Sequence, residues 1–291
     1  MALYDVPFVV VDVETTGGSP SNASLTEVAA ARYRGGELIE TFRSFVRPDE
    51  RIPPFVSALT GITDEMVADA PRAGQILPSL LEFVRGDVLV GHNLRFDLTF
   101  LHHALLWTGR AGFENPSVDT LALARRLCGD ELPNCQLATL ALGLGLEHRP
   151  THRALDDVLA TGDLLHVLLE RAGSFGITDL GELLVLPRLL GHPQSRKLRF
   201  TASLPRRPGV FWFSDARGRV LYVDHAGDVR AAARSIFLVE GDRRTNRLLR
   251  QMHAVSSRCT SDVNATWPLL ESLVDRWQPP FNRSTGRRRR P

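Results

Sequence analysis

Residues 8–17 read Phe8-Val9-Val10-Val11-Asp12-Val13-Glu14-Thr15-Thr16-Gly17. The first residues form a β-branched apolar run of strand length, and Gly17-Gly18 ends it. Successive side chains of a strand alternate between its faces, so Asp12 and Glu14 point the same way. Two carboxylates side by side on a buried strand repel each other unless a cation pairs with them. The stretch therefore predicts the first strand of a sheet and part of a metal site.

Three further residues of this chemistry follow at two places. Asp97 ends the segment 91–97, and His152 and Asp157 bracket residues 152–157. Hard divalent cations bind carboxylate oxygens, and a pair of them can drive cleavage of a phosphodiester. A histidine beside such ions is suited to take a proton from water. Taken alone, Asp97 is more simply explained as a residue that caps a helix, and His152 as a solvated histidine in a loop. The five residues together favour a site that cuts phosphodiester bonds.

The composition is that of a soluble globular protein. The chain has 291 residues, of which 43% are hydrophobic and 23% charged, and this length suits two domains. No apolar run approaches the roughly 18 residues of a membrane span, and the first residues lack a signal-peptide pattern. Cys128, Cys135 and Cys259 are too few for a disulfide framework and form no CxxC pair. We therefore expect a cytoplasmic protein with free thiols.

Charge is spread unevenly between the two halves of the chain. Residues 1–172 carry 14 Lys or Arg against 23 Asp or Glu, a net charge of −9. Residues 173–291 carry 21 against 10, a net charge of +11. Such asymmetry favours a nucleic-acid partner for the basic half, although surface charge can also drift between domains.

The first half is predicted as α/β, because short apolar runs alternate with stretches of helical periodicity. The predicted strands are residues 8–13, 26–34, 37–46 and 88–90, of which the middle two form a hairpin. The predicted helices are a piece between Pro53 and Pro71, then residues 76–84, 94–107, 121–127, 136–142 and 154–169. Asn93 is expected to cap the helix that begins at residue 94.

The apolar pattern divides the chain into four parts. Residues 1–172 form the first domain, and the less patterned residues 173–203, with breaks at Pro187 and Pro193, are predicted as a linker. Residues 204–283 are predicted as a small α+β domain, and residues 284–291 as a basic tail. Within the small domain, the predicted strands are 210–214 and 220–223, and the predicted helices are 229–237, 245–255 and 267–277.

The acidic motifs of the first half resemble those of a known family. DxETTG at 12–17, GHNxxFD at 91–97 and HxAxxD at 152–157 are similar to the three motifs of the DEDDh exonucleases, which include the proofreading epsilon subunits of bacterial replicative DNA polymerases. The resemblance covers about residues 5–172. It implies a ribonuclease-H-like fold, with a mixed sheet and flanking helices. It also implies metal-dependent hydrolysis from a 3′ end that releases nucleoside 5′-monophosphates.

The same resemblance assigns roles by position. It implies that two Mg2+ or Mn2+ ions are held by Asp12, Glu14, Asp97 and Asp157, with His152 as the general base. It places Thr15, Thr16 and Gly17 beside the terminal nucleotide, and it makes His92, Asn93 and Phe96 weaker candidates for substrate binding.

Residues 204–283 resemble the GIY-YIG domain at the N-terminus of the UvrC excision-repair nuclease. The resemblance rests on Pro208–Phe213, on Val220–Asp224 and on the ending Pro279-Pro280-Phe281-Asn282. It implies a nuclease fold whose catalytic residues can be compared one at a time.

The comparison predicts that this second nuclease site is degenerate. Phe211 stands where the family has a tyrosine, Tyr222 is retained, and Asp224 replaces a glycine. Ala232 stands at the position of the family's catalytic arginine, and Leu270 at that of its metal-binding glutamate. Because Glu271 is adjacent to Leu270, an alignment shifted by one residue stays open. Without an arginine for the phosphate or a carboxylate for the metal, we expect no cleavage here.

A basic cluster in the second half is the remaining candidate site. Its arginines fall on or near one predicted helix and are Arg243, Arg244, Arg247 and Arg250. They are candidates for DNA binding, and a solvated arginine face is an equally simple interpretation.

The leading hypothesis is a 3′-to-5′ exonuclease that acts on DNA in repair or proofreading, with DNA and a polymerase or repair proteins as partners. The second domain would add affinity for DNA. Three alternatives stay open: an RNA exonuclease, because that group shares the motifs; a non-catalytic DNA-repair scaffold; and a combined exo- and endonuclease.

Overall fold

The computed structural model describes residues 1–238 and 242–282, and the chain divides into two compact units. The first unit comprises Met1–Ala172 and Thr178–Leu184, and the second comprises Gly173–Ile177 and the described residues from Val185 onward. The predicted basic tail, 284–291, lies outside the described residues. Among the described helices, none combines the length and apolar character that a membrane crossing requires.

A five-stranded sheet forms the centre of the first unit. Its strands are β1 (Phe8–Thr15), β2 (Leu25–Arg34), β3 (Glu37–Phe45), β4 (Val88–Gly91) and β5 (Ser117–Asp119). Their order is β3-β2-β1-β4-β5, with antiparallel pairing among the first three and parallel pairing of β1 with β4 and of β4 with β5. The predicted strand and hairpin are present, but β5 was missed because three residues are too few to show a pattern.

Helices cover this sheet and lead into the predicted motifs. They are α1 (Pro54–Thr60), α2 (Asp64–Val67), α3 (Ala73–Val84), α4 (Leu94–Trp107), α5 (Thr120–Leu127), α6 (Leu137–Gly143) and α7 (Ala154–Gly173). The mixed α/β architecture with flanking helices, predicted from the sequence, is confirmed.

The prediction that Asn93 caps α4 with its side chain is wrong. Asn93 precedes the helix, but its side chain makes no capping hydrogen bond. Its backbone has a φ of +71°, in the left-handed region that asparagine tolerates better than most residues. The backbone N–H of Asn93 donates to Oδ1 of Asp119 instead, at 3.1 Å.

The alternation of β1 separates a core face from a functional face. Val9, Val11 and Val13 pack into a buried cluster with residues of α3 and α4. Asp12 and Glu14, on the opposite face, are only half-buried. The two carboxylates therefore lie on the same face of β1, as the alternation predicted.

A close contact between β2 and α7 seats α7 against the sheet. Gly162 of α7 is buried, and a Cβ atom placed on it would lie 2.3 Å from the hydroxyl oxygen of Tyr33 on β2. Tyr33 is buried and its ring meets that of His166 edge-on, at a centroid distance of 5.3 Å. Only glycine allows this approach, which brings the start of α7 to the functional face of the sheet.

Residues 173–203, predicted as a linker, contain helix α8 (Leu180–Leu190) and a 3-10 helix at Ser195–Thr201. Pro187 lies inside α8, where it removes one backbone hydrogen bond. Burial of Leu183, Leu186 and Leu189 offsets that loss. Pro187 was predicted as a break in the structure, but the helix continues through it because its leucines are buried.

The second unit is built on a three-stranded antiparallel sheet. Its strands are β6 (Gly209–Ser214), β7 (Val220–Ala226) and β8 (Ala254–Cys259), in the order β7-β6-β8. Its helices are α9 (Val229–Ser235), α10 (Arg243–Gln251) and α11 (Thr266–Trp277). The prediction extended the middle helix to residue 255 and missed β8, because Ser256, Ser257 and Arg258 carry no apolar alternation. The predicted α+β class is confirmed.

Replacing Gly162 by alanine should destabilise the first unit by about 1–3 kcal/mol, because the added methyl group overpacks the contact with Tyr33. Thermal unfolding would show a lower Tm. Gly86→Ala is the matched control, since a Cβ atom there meets no heavy atom within 4 Å. Equal Tm values for the two variants would contradict this account of how α7 is seated.

Candidate active site

The functional face of the sheet ends in a group of carboxylates. Asp12 and Glu14 are contributed by β1, whose register with β2 shifts directly after Glu14. The pairing of β1 with β4 covers Phe8, Val9 and Val10. The backbone of β1 beyond Val10 therefore has to find other partners on that side.

Asp97 supplies one of these partners. It lies in the first turn of α4, is only 3% exposed, and its Oδ1 accepts the N–H of Val13 at 3.1 Å. This bond joins the start of α4 to the residue between Asp12 and Glu14. The side chain is thus held beside Asp12 and Glu14.

The loop before α7 supplies the remaining two side chains. Oδ1 of Asp157 accepts the backbone N–H groups of Thr151 and His152, at 2.9 and 3.2 Å. His152 is exposed and has a φ of +59°, a strained value for a residue with a Cβ atom. One ligand atom each from Glu14, His152 and Asp157 lie within 4.8 Å of one another.

All four carboxylates have a raised pKa, and burial is the largest cause for each. Burial, followed by repulsion from Asp157, raises the pKa of Glu14 to about 8. Burial raises the pKa of Asp97 to about 8, even though its hydrogen bond from Val13 opposes the change. The pKa of Asp12 is held well above its usual range by burial and then by Asp97 and Asp157. Burial also raises the pKa of Asp157.

This pattern indicates uncompensated negative charge. Within residues 1–238 and 242–282, no arginine or lysine forms an ion pair with Asp12, Glu14, Asp97 or Asp157. Crowded oxygen donors without a protein cation are the environment that hard divalent ions occupy.

Glu27, the buried acid of β2, was not among the predicted site residues. It lies opposite Glu14 in the register and is 0% exposed. Its carboxylate accepts hydrogen bonds from Arg43, Arg153 and the backbone of Ala154. Burial favours the protonated form of Glu27, but the two arginines lower its pKa overall. The available signal was a glutamate inside the apolar run 25–31, together with the arginine that follows His152.

The predicted nucleotide-contacting residues lie in a tight loop. Thr15 and Thr16 are buried, and Gly17 is half-buried. The hydroxyl of Thr15 donates to the carbonyl of Gly17, and that of Thr16 donates to Glu50. These bonds fix the backbone at the end of β1. Contact of the three residues with a nucleotide stays a prediction.

The candidates of the second motif are held differently. The ring nitrogens of His92 lie 3.0 Å from Thr120 Oγ1 and 2.8 Å from the carbonyl oxygen of Cys135, so both are engaged. Burial lowers the pKa of His92. Asn93 is exposed, and half-buried Phe96 packs against Phe100 at a centroid distance of 5.1 Å. Asn93 and Phe96 line an open groove.

The predicted degenerate site in the second unit lacks a free tyrosine hydroxyl. Tyr222 donates to Oδ2 of Asp224 at 2.6 Å, and burial together with this bond raises its pKa. Phe211 is fully buried. Leu270 packs in an apolar cluster with Val210 and Leu273, whereas Glu271 is exposed.

The two arginines nearest to Ala232 in the sequence are both engaged by other groups of the protein. Arg230 donates to the carbonyls of Ala202 and Leu204. Arg234 is buried and donates to Thr201 and to the carbonyl of Phe175. Both side chains therefore serve the packing of the second unit.

The predicted DNA-binding arginines lie on α10. Arg243, Arg247 and Arg250 are exposed at helical spacing, on one side of α10. Arg244 is half-buried and donates to the carbonyl of Phe281. The guanidinium of Arg247 lies 5.9 Å from the centre of the Phe281 ring.

Both units match known protein families. Residues 9–165 match the family described as Exonuclease, and residues 207–283 match the UvrC-like GIY-YIG domain. A Mycobacterium tuberculosis protein whose name describes a bifunctional exonuclease/endonuclease is 38% identical over 97% of this chain. The PolC-type DNA polymerase III of Caldanaerobacter subterraneus is 39% identical over 60% of this chain. The chain spans 45% and 12% of the lengths of these two relatives.

Solved structures show the same fold. Exonuclease I without ligand has a TM-score of 0.52 and 21% identity, covering 72% of this chain and 50% of the other. Escherichia coli exonuclease I in complex with a dA16 oligonucleotide has a TM-score of 0.52 and 22% identity, covering 72% and 48%. Because the Exonuclease model spans more than half of the chain, the protein belongs to the exonuclease family and carries a UvrC-like GIY-YIG domain after its exonuclease domain.

Proposed function

We propose that this chain is a metal-dependent 3′-to-5′ exonuclease acting on DNA, and that the chemistry takes place in its first unit. The observation that carries the proposal is the convergence of Asp12, Glu14, Asp97 and Asp157, without a protein cation to balance them among the described residues, and with His152 within 4.8 Å of Glu14 and Asp157. The polarity of the reaction rests on the resemblance to the DEDDh exonucleases.

The donor set fits two divalent cations of the Mg2+ or Mn2+ type. All four carboxylates offer hard oxygen ligands, and their raised pKa values support a role for a cation among them. Asp12, Glu14, Asp97 and Asp157 would hold the ions. When bound, such ions supply activation of water and stabilisation of charge on the cleaved phosphate.

The protein's own side chains would position and move protons. His152 is exposed at the site and could accept a proton from the attacking water on a ring nitrogen. Asp157 binds the backbone of the His152 loop, so it holds the base as well as serving as a ligand. Asp97 ties α4 to β1 at Val13, between Asp12 and Glu14, and is thereby placed next to both.

DNA as substrate is supported by the similar proteins. The exonuclease I structures include complexes with dA16 and dT13 oligonucleotides, and several relatives are PolC-type DNA polymerases. A role in proofreading or repair, with a polymerase or repair proteins as partners, is consistent with this group. The first unit would supply the exonuclease domain 1–172 of such an assembly.

The second unit would hold DNA without cutting it. The hydroxyl of Tyr222 is engaged by Asp224, whose negative charge would repel a phosphate. Ala232 and Leu270 offer neither a cation nor a metal ligand. The exposed arginines of α10 are suited to phosphate contacts along a DNA backbone.

Asp12→Asn and Asp157→Asn should abolish nucleotide release, because each removes a charged ligand from the set. His152→Ala should lower kcat by roughly 10²–10⁴-fold, the usual contribution of a general base. Release of labelled mononucleotides from single-stranded DNA measures both effects.

Asp156→Asn is the matched control, because Asp156 is the neighbouring carboxylate on α7 and instead accepts the hydroxyl of Thr151. Full activity in the Asp12 and Asp157 variants would refute the assigned site. Loss of activity in the Asp156 variant alone would mean that Asp156, rather than Asp157, is the ligand contributed by the third motif.

The metal-free protein should lose stability as pH rises towards about 8. Glu14 and Asp97 keep their protons in the folded chain up to a pKa of about 8, against ordinary values of 4.5 and 3.8. The folded state therefore binds more protons than the unfolded state across this window, and the free energy of unfolding falls as they are lost.

A fall in Tm of the order of 5 °C between pH 5.5 and pH 8.5 is expected in EDTA, and Glu14→Gln should reduce it. Added Mn2+ should restore Tm at the higher pH. A Tm that is independent of pH, or unaffected by Mn2+, would contradict the crowded-carboxylate account.

Replacing Arg243, Arg247 and Arg250 together by glutamine should weaken DNA binding and make it less sensitive to salt. Loss of three phosphate contacts lowers the slope of log K against log salt by about 2 for single strands. The matched control removes three exposed arginines of the first unit, Arg34, Arg110 and Arg126. If log K falls with log salt at the same slope in both triple variants, the arginines of α10 are a solvated surface and do not bind DNA.

A further inference from the structure

Glu27 is the most completely enclosed charge near the active site. It lies on β2 opposite Glu14, with no exposed surface. The described arginines on either side, Arg43 and Arg153, approach its two carboxylate oxygens at 2.7 to 3.2 Å. A buried carboxylate is retained at such a place only when its partners satisfy it, and here they do.

One arm of this cluster grips the loop that carries His152. Arg153 donates through Nε to Oε2 of Glu27 and through Nη2 to Oε1, so the contact is bidentate. The N–H of Ala154 also donates to Oε2, at 3.2 Å. The two residues that follow His152 are therefore tied to β2, across 126 and 127 positions of sequence.

The other arm braces the cluster from β3. Arg43 donates to Oε1 of Glu27 at 2.7 Å, and the guanidinium groups of Arg43 and Arg153 lie 5.6 and 5.2 Å from the centre of the Phe45 ring. Each arginine thus has a carboxylate and an aromatic partner. This arrangement limits the freedom of Arg153 to shift the loop.

The backbone of His152 needs such support. A φ of +59° is unfavourable for histidine and persists only when neighbouring contacts determine it. Asp157 fixes the loop before and at His152, through the N–H groups of Thr151 and His152. Glu27 fixes the loop after it. Of these two anchors, Asp157 is also a proposed metal ligand, whereas Glu27 is occupied by its arginines.

We propose that Glu27 is a positioning residue for His152, acting through Arg153 and the Ala154 backbone rather than through the metal site. The inference rests on the proposed function, because it assigns the purpose of the anchor to the proton acceptor of that reaction. It predicts that loss of the Glu27 carboxylate misplaces the imidazole while leaving substrate and cation binding in place.

The test compares Glu27→Gln with Glu131→Gln in the full chain, using single-stranded DNA and Mn2+. Glu131 also forms a bidentate pair with an arginine, Arg171, and has no assigned part in the site. We expect Glu27→Gln to lower kcat by about 10–100-fold with KM and Mn2+ affinity within about 2-fold, the cost of a small misplacement of a reacting group. Glu131→Gln should change none of these.

A double-mutant cycle with His152→Ala separates positioning from a general structural role. If Glu27 acts through His152, then Glu27→Gln should change kcat by less than about 2-fold once the imidazole is gone. An equal loss of kcat in both backgrounds would overturn the proposal. Arg153→Lys is the second variant if Glu27→Gln fails to fold, since it keeps the charge and loses the bidentate contact.

Amide hydrogen exchange gives a readout that does not depend on activity. The Ala154 amide should exchange at least about 10-fold faster in Glu27→Gln, while amides of β1 stay protected. Unchanged protection at Ala154 would overturn the anchoring role. If the unmodified chain releases no nucleotide from any DNA end, the proposed function fails, and the exchange data alone decide whether Glu27 holds the loop.

Discussion

Repulsion among four carboxylates at the end of β1 is the constraint on which the site depends. Asp12 and Glu14 face the same side of a buried strand, Asp97 is drawn to the strand by the Val13 amide, and Asp157 arrives on α7. Burial raises the pKa of Asp12, Glu14 and Asp97, and the negative charge of Asp157 raises each of these pKa values further. The fold holds this unfavourable arrangement through contacts outside the cluster, such as the Tyr33–Gly162 approach and the Glu27 anchor.

The sequence predicted the parts of the site that depend on local pattern. The alternation of apolar and acidic residues in β1 fixed the shared direction of Asp12 and Glu14, and the helical periodicity of residues 94–107 gave α4 with its bounds. The role of Glu27 could not be predicted in this way, because Arg153 lies 126 residues away. Asn93 does not cap α4 with its side chain, and its backbone is left-handed rather than in the extended conformation typical of a side-chain N-cap.

The second unit keeps the architecture of its family, whereas the loss of its reaction stays a prediction. Its sheet, its helices and Asn282 preserve the packing; the side chain of Asn282 bonds both backbone groups of Val223. Where the degenerate site is predicted, Asp224 accepts the hydroxyl of Tyr222 and Leu270 joins an apolar cluster. Edge strand β8 was not predicted, because its polar residues, among them exposed Ser256 and half-buried Ser257, resemble a loop.

The most direct measurement of the central claim is nucleotide release from 3′-labelled and 5′-labelled single-stranded DNA, each with Mn2+, with Mg2+ and with EDTA. We expect early, metal-dependent release of labelled mononucleotide from the 3′-labelled strand and progressive shortening of the 5′-labelled strand. Release from the 5′ end, internal cuts, or activity that persists in EDTA would contradict the proposed reaction.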